Sequence, residues 1–481
     1  MAKVSASSKL VNLAVQTGEF FHTPGQKSYV TVQGRTMFLR GAEFRSWLAI
    51  NYIRSEKTAP AASAIDDALN GLEGKAMLGP EYEVYTRVAP VGAEVHVDLG
   101  DHIATVSAEG WTVQESCDVR FVRPNGFRPL PAPAHDPRSL EELLHAFITV
   151  TDARDLTLVI AWLVGALRGR KPFPLLSFNG EKGSAKSTTT RNLRRLIDPN
   201  EALSRFAPRE PRDLMISARN SYVLAFENIS KIEDWLSDAL CAIATGAGSA
   251  VRQLHTDTDE IIINVSRPVL LNGINNVLKR SDLIDRAIVV SLDPIPSSKR
   301  RTEREVDAAF DAVQGAILGH LLNAVAGALS REALVETTLR PKDLPRMADF
   351  AITVVAAEPS LQWEPGTFLG AYADNRNTEI AEALEGNLVA VALADLPATW
   401  AGTASELLQA ISTSERMADQ QWPRTAKDLS ARLRDIASDL RTRGIDVQFV
   451  RSHGERRISV TRAADAKGVA AEPRLLPEEP F

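Results

Sequence analysis

Residues 174–197 read PLLSFNGEKGSAKSTTTRNLRRLI, and the reading of this stretch decides the fold. Leu175, Leu176 and Phe178 make the short apolar run of a buried strand. A glycine-bearing loop from Gly180 follows and ends in Lys186-Ser187; a helical pattern then opens with Ser/Thr and closes at Asp198-Pro199. Strand, loop and helix in this order are the context of a phosphate-binding loop. The backbone N–H groups of the loop and of the helix start would point at anionic oxygens. That gives Gly180, Gly183, Ser184, Ala185, Lys186, Ser187 and Thr188 as the nucleotide-binding residues. Lys186 would bring charge to the β- and γ-phosphates, and the Ser187 hydroxyl would sit on Mg²⁺, so ATP and Mg²⁺ are the expected cofactors. One position departs from the GxxxxGK[ST] pattern: Ala185 stands where the second glycine belongs. Alanine tolerates close approach but adopts positive φ only at a cost. The plain alternative is a Gly/Lys-rich surface turn.

At 481 residues the chain has room for roughly three domains. Its 44% hydrophobic and 24% charged content is that of an ordinary globular protein. The net charge of −6 gives no overall basic field, so any nucleic-acid contact must come from local patches. Two cysteines, Cys117 and Cys241, provide neither a disulfide framework nor a zinc spacing, which suits a cytoplasmic protein. No signal peptide is expected at the N-terminus. The most apolar segment, Leu156 to Leu167, is too short to span a bilayer, so no membrane is expected as a partner.

Residues 1–135 read as an α+β module. Short alternating runs at 28–32, 83–88 and 94–99 predict strands, and 41–54 and 59–72 predict helices. Asp98 and Asp101 invite a primase-like Mg²⁺ site, but no third carboxylate or basic cluster stands near them, and a strand end followed by a glycine-bearing turn is the favoured reading. Pro124 to Pro137 reads as a proline-rich linker.

The segment 138–300 continues the nucleotide site. Tyr222 to Phe226 form an apolar strand that ends in Glu227, a carboxylate placed to reach Mg²⁺ or the attacking water. Asn228 follows where many ATPases have a second acid. A third strand, 267–273, ends in Asn272, a candidate for the γ-phosphate; Asn before Gly is also an ordinary turn signal. Arg280 and Arg286 precede a further strand, 287–290. They are candidates for arginine fingers, with a solvated charged turn as the alternative.

This order of motifs resembles the AAA+ ATPases, most closely the superfamily 3 helicases and the helicase part of poxvirus-type primase-helicases of phages and mobile elements. The resemblance covers about residues 140–300. It implies a parallel sheet with helices on both faces and a hexameric ring with ATP at the subunit interfaces. Lys186, Ser187, Glu227 and Asn272 would come from one subunit and Arg286 from its neighbour. It also implies a pore hairpin at 250–263 that would bring Arg252 and His255 near DNA, although Asp257, Asp259 and Glu260 make that hairpin acidic. A helical lid at 301–400 follows from the same resemblance, with Arg346 as a weak candidate nucleotide sensor.

Residues 401–462 change character. Leu429, Leu433, Ile436 and Leu440 share one helical face, and Lys427, Arg434 and Arg441 align opposite it. Two strands flanking Ser452-His453-Gly454-Glu455 add Arg456 and Arg457. Trp422 to Arg462 carries ten Lys/Arg against five Asp/Glu, a local excess suited to phosphate contact. The arrangement resembles a winged-helix DNA-binding domain; a protein-interaction winged helix is the alternative. Residues 463–481 read as a disordered tail. The whole predicts an ATPase, a DNA helicase or translocase acting in replication of a phage or mobile element. An ATP-switched initiator or loader, or an ATPase acting on protein partners, are the other readings.

Overall fold

The computed structural model describes residues 4–150, 152–246, 249–252, 260–263, 265–273, 277–278, 280–340, 344–452 and 455–462. The expected disordered tail and the tip of the expected pore hairpin, His255 included, lie outside the described residues.

The chain begins with a small unit that has its own core. A helix, Ala6–Thr17, is capped by the Ser5 hydroxyl accepting the Ser8 N–H. Three antiparallel strands, Gly18–His22, Ser28–Val32 and Arg35–Phe38, follow in sequential order, then helices Ala42–Glu56 and Ala62–Met77. The strand Ser28–Val32 alternates buried and half-buried, as one covered face requires. Leu10, Phe20, Val30, Phe44, Leu69 and Leu72 close this core.

Next comes a four-stranded antiparallel meander, Val88–Val91, Glu94–Asp98, Ile103–Ser107 and Gly110–Gln114. Its inward residues Val88, Val95, Val97, Ala104 and Val106 belong to the large core shared with the rest of the chain. Asp98 is fully buried; both its oxygens accept from Arg123 at 2.8 Å, and one also accepts the Gly100 N–H. It is thus a structural turn acid. The proline-rich stretch expected as a linker lies packed against the body. Arg128 N–H donates to Pro199 O, Leu130 N–H to Leu99 O and Ala134 N–H to Gly315 O. Gly319 admits this passage, since a Cβ there would lie 2.0 Å from the Ala134 carbonyl oxygen.

The central layer is a five-stranded parallel sheet. Its strands are β1 (Leu175–Asn179), β2 (Arg205–Phe206), β3 (Leu224–Ile229), β4 (Val269–Gly273) and β5 (Ala287–Ser291), in the order β2-β3-β4-β1-β5. Apolar runs with little alternation suit strands covered on both faces. Helix α1 (Ala153–Arg168), almost wholly buried, packs on the sheet, as do α2 (Lys186–Ile197) and α3 (Asp234–Thr245). A two-stranded hairpin, Ser249–Arg252 with Glu260–Ile263, projects between α3 and β4, with Arg252 opposite Glu260.

Helix α4 (Glu303–Thr338) opens with a Thr302/Glu305 capping box. By length and composition it could cross a membrane, yet its apolar face is covered by α1, α5 (Ala348–Ala357) and the meander. Its neighbour α6 (Thr367–Glu385) holds the edge strand: the Asn375 side chain donates to Val289 O and accepts the Val289 N–H. The C-terminal unit comprises strand Thr399–Thr403, helices Ala404–Ile411, Ser414–Ala418 and α7 (Ala426–Thr442), and strands Ile445–Ser452 and Glu455–Arg462. Its antiparallel sheet places the last strand between the other two. The strand Thr399–Thr403 has no counterpart in the sequence reading.

Candidate nucleotide site and basic cleft

The loop between β1 and α2 is built by three residues at positive φ: Gly180 at +146°, Gly183 at +92° and Ala185 at +58°. A Cβ at Gly180 would sit 2.5 Å from the Leu292 carbonyl oxygen, so only glycine fits there. Ala185 occupies the left-handed region that costs an L-residue about 1–2 kcal/mol, at the position where the usual pattern has glycine. This is backbone strain held at a candidate site. The loop is braced from outside, by Thr149 Oγ1 donating to Ser184 O and by Ile295 N–H donating to Gly183 O.

No side chain caps the N-terminus of α2, so its first-turn N–H groups are left open at the loop, with Ser187 and Thr188 half-buried in that turn. Lys186 Nζ folds back over the loop, donating to Gly180 O at 2.7 Å and Glu181 O at 2.8 Å; burial holds its pKa below the ordinary lysine value. These donors and the helix N-terminus fit a polyphosphate. Among the described residues no group of three or more His, Cys, Asp or Glu could hold a metal ion. A Mg²⁺ ion here would therefore take Ser187 and Glu227 together with phosphate oxygens, as magnesium at nucleotide sites does.

Glu227 and Asn272 stand near the C-terminal ends of β3 and β4, beside the end of β1 that enters the loop. Glu227 is half-buried. Asn272 is 1% exposed and ties two elements together. Its Oδ1 accepts the Asn228 N–H at 3.0 Å, where Asn228 has φ +56°, and its Nδ2 donates to Thr190 Oγ1 of α2 at 3.0 Å.

Arg286 lies elsewhere. Its carbonyl accepts the Leu175 N–H at the N-terminal end of β1, a strand length away from the loop, or about 13 Å at 3.3 Å per residue. Its guanidinium donates to Asp282 O. Arg280 is held by Asp282 and Asp238, and Arg346 by Asp285, so both are occupied within the subunit. One cation escaped the sequence reading: an Arg300 Nη lies 3.6 Å from where a Gly183 Cβ would stand, beside the loop. In the sequence it merges with the charged start of the long helix; the Leu292–Asn179 and Ile295–Gly183 backbone bonds and its own bond to Ile295 O bring it back to the loop.

The second cluster lies in the C-terminal unit. Lys427 and Arg434 of α7 and Arg451, Arg456 and Arg457 of the hairpin line one cleft of about 440 Å³. Among the described residues no acid lines it. The Arg434 guanidinium lies 4.7 Å from the centroid of the Phe449 ring. Arg441, grouped with these by helical spacing, is outside the cleft and pairs with Asp446 at 3.2 Å. Arg252 occupies its hairpin strand, and nothing further is described of its side chain.

The family model of the actinomycete integrative conjugative element replication protein matches residues 141–371, which hold the loop, both strand ends and Arg286. The model of the C-terminal domain of that protein, AICE RepA, matches residues 389–473, which hold the basic cleft. No curated protein matches the chain. Two solved structures of the NrS-1 C-terminal region are similar to it. The A form apo structure has 13% identity and a TM-score of 0.42, covering 94% of this chain and 99% of that one. A second apo structure has the same identity and TM-score over 96% of this chain and 100% of that one.

Proposed function

We propose that the chain, whose family matches are those of a mobile-element replication protein, is an ATP-driven DNA translocase or helicase of the AAA+ class that works as an oligomeric ring. The observation that carries this reading is the convergence of Lys186, Ser187, Glu227 and Asn272 at the C-terminal ends of adjacent parallel strands β1, β3 and β4. In open parallel sheets that end is where ligands bind. ATP supplies the phosphoryl bond whose hydrolysis drives the motor. Lys186 would move from the loop carbonyls to the β/γ-phosphates, and Ser187 would give the metal one oxygen. Glu227 would orient the attacking water and hold its proton. Asn272 acts as a positioning residue, fixing the strand end that carries Glu227 against the loop helix.

Arg286 cannot serve the loop of its own subunit across the sheet, so its role as an arginine finger requires a second copy. The ring is therefore part of that reading. The acid-free cleft of the C-terminal unit offers Lys427, Arg434, Arg456 and Arg457 to duplex phosphates, in the manner of a winged helix.

The test is steady-state ATPase activity with and without single-stranded and forked DNA, alongside Lys186→Ala. Stimulation by DNA that disappears in the variant supports the motor. DNA-independent hydrolysis would move the reading to a protein-directed ATPase. The strained Ala185 and the presence of Asn228 in place of a second acid favour a further reading, a slow ATP switch in an initiator or loader. Tight ATP binding without turnover would select it.

A further inference from the structure

At the N-terminal end of the central strands, opposite the end that carries the nucleotide loop, lies a groove of about 630 Å³ between the N-terminal unit and the sheet. Its near wall carries Lys27, Tyr29 and Phe38 from the small antiparallel sheet; its far wall carries Arg219, Val265 and Arg267. We propose that this groove binds single-stranded DNA, with bases against Tyr29 and Phe38 and the backbone phosphates between Lys27 and Arg219.

Three observations carry it. The aromatic wall is preformed: the Tyr29 and Phe38 rings lie 5.5 Å apart, with Phe21 stacked behind Tyr29 at 5.8 Å, and Phe38 is 39% exposed. Such a platform accepts any unpaired base through its π-face, whereas bases in a duplex are already stacked. The two cations are unpaired. Among the described residues neither Lys27 nor Arg219 forms an ion pair, and each repels the other across the groove, Arg219 adding to the burial that lowers the Lys27 pKa. Among the described residues Glu83 is the one acid in the lining, and it is exposed. A phosphate between the two cations would relieve that repulsion. Arg267 adds a half-buried positive charge, its Nε and one Nη held by the carbonyls of Ala218, Ser221 and Ser266.

The third observation is placement. Val265 lies two residues beyond the hairpin strand Glu260–Ile263, and Arg267 leads into β4, so the groove adjoins the C-terminal root of that hairpin. This site is separate from the basic cleft, and binding to it needs no nucleotide. It therefore stands or falls apart from the ATPase reading.

The experiment uses the full chain without nucleotide and follows fluorescence anisotropy with a short labelled oligo-dT and, in parallel, a duplex of the same length. Lys27→Ala/Arg219→Ala should reduce the slope of log K against log salt for oligo-dT by about 1.4, from about 0.7 per lost phosphate contact, and leave duplex binding unchanged. Phe38→Leu keeps the apolar bulk and should weaken oligo-dT binding about tenfold, with Phe38→Trp restoring it. Free dTMP in excess should compete poorly. Unchanged oligo-dT affinity and salt slope in the double variant would overturn the proposal. Equal losses for duplex and single strand would overturn it too, as would efficient competition by dTMP, which would make the groove a mononucleotide site. DNA-free ATPase activity of Lys27→Ala/Arg219→Ala should match the wild type, since both residues are exposed and far from the loop.

Discussion

Asn272→Ala is the substitution that most directly tests how the candidate site is held together. The side chain makes two bonds of 3.0 Å, one to the Asn228 N–H and one to Thr190 Oγ1, and is 1% exposed. Alanine leaves both partners unsatisfied, and each orphaned buried group costs about 1–3 kcal/mol. Asn228 sits at the surface and its N–H can recover some hydration, so the expected loss is about 2–4 kcal/mol. A multi-unit chain has no single unfolding free energy, so the assay is native-state amide exchange at Leu270 and Leu271 of β4. Their opening should become roughly 30- to 700-fold more frequent, at 1.4 kcal/mol per tenfold. A double-mutant cycle with Thr190→Ala should return a coupling of about 1 kcal/mol. Asn272→Asp keeps both bonds, because the Thr190 hydroxyl can rotate to donate. Exchange should then return only in part, because a carboxylate at this buried site gives up its hydration. Any ATP turnover should fall, since the new anion would lie beside the phosphate loop. Wild-type exchange in Asn272→Ala, or a coupling near zero, would refute the claim that Asn272 ties β3 to the loop helix.

Two other outcomes are expected. Arg87 is fully buried and donates to Asp198 Oδ1 and to the carbonyls of Asp98, Arg128 and Pro199, with its guanidinium 3.8 Å from the Phe127 ring centroid. Arg87→Ala should destabilise the joint between the meander and α2 by about 3–5 kcal/mol, and Arg87→Lys should not rescue it, because one ammonium cannot span four acceptors; native-state amide exchange in the meander and α2 checks this. Asp155, in the first turn of α1, has its carboxyl pushed up to about 6, by burial first and then by Asp152 and Asp293. Its folded pKa lies above the unfolded value of about 3.9, so its favourable contribution is complete below that pH and is lost as pH rises through about 6. Asp155→Asn should therefore raise the urea midpoint above about pH 7 and leave it little changed below about pH 4.

What the sequence makes legible is chemistry that depends on neighbouring residues. The loop from Gly180 to Ser187 announces itself because its positive-φ glycines, its lysine and its uncapped helix start are contiguous. Glu227 and Asn272 are readable as strand ends, because apolar runs closed by polar residues mark where a parallel sheet presents its ligand edge. The second role of Asn272 is not readable, since its partners lie 44 and 82 residues away and one depends on the positive φ of Asn228. The proline-rich stretch 124–137 fails for the same reason. Its composition is that of a linker, but the features that dock it are Gly315 and Gly319, two small residues on one face of a helix far along the chain. Arg441 shows the converse error. A spacing of seven places it in line with Lys427 and Arg434, but that line drifts by about 20° per seven residues around a straight helix. The chain then turns at Gly444 and brings Asp446 back to pair with it. The groove at Tyr29 and Arg219 is the extreme case, since neither wall carries a recognisable motif. Its chemistry exists only because two separately closed cores set an aromatic sheet face against the end of a basic helix. A site assembled in this way follows from packing order, and packing order is the part of a sequence that local patterns carry least.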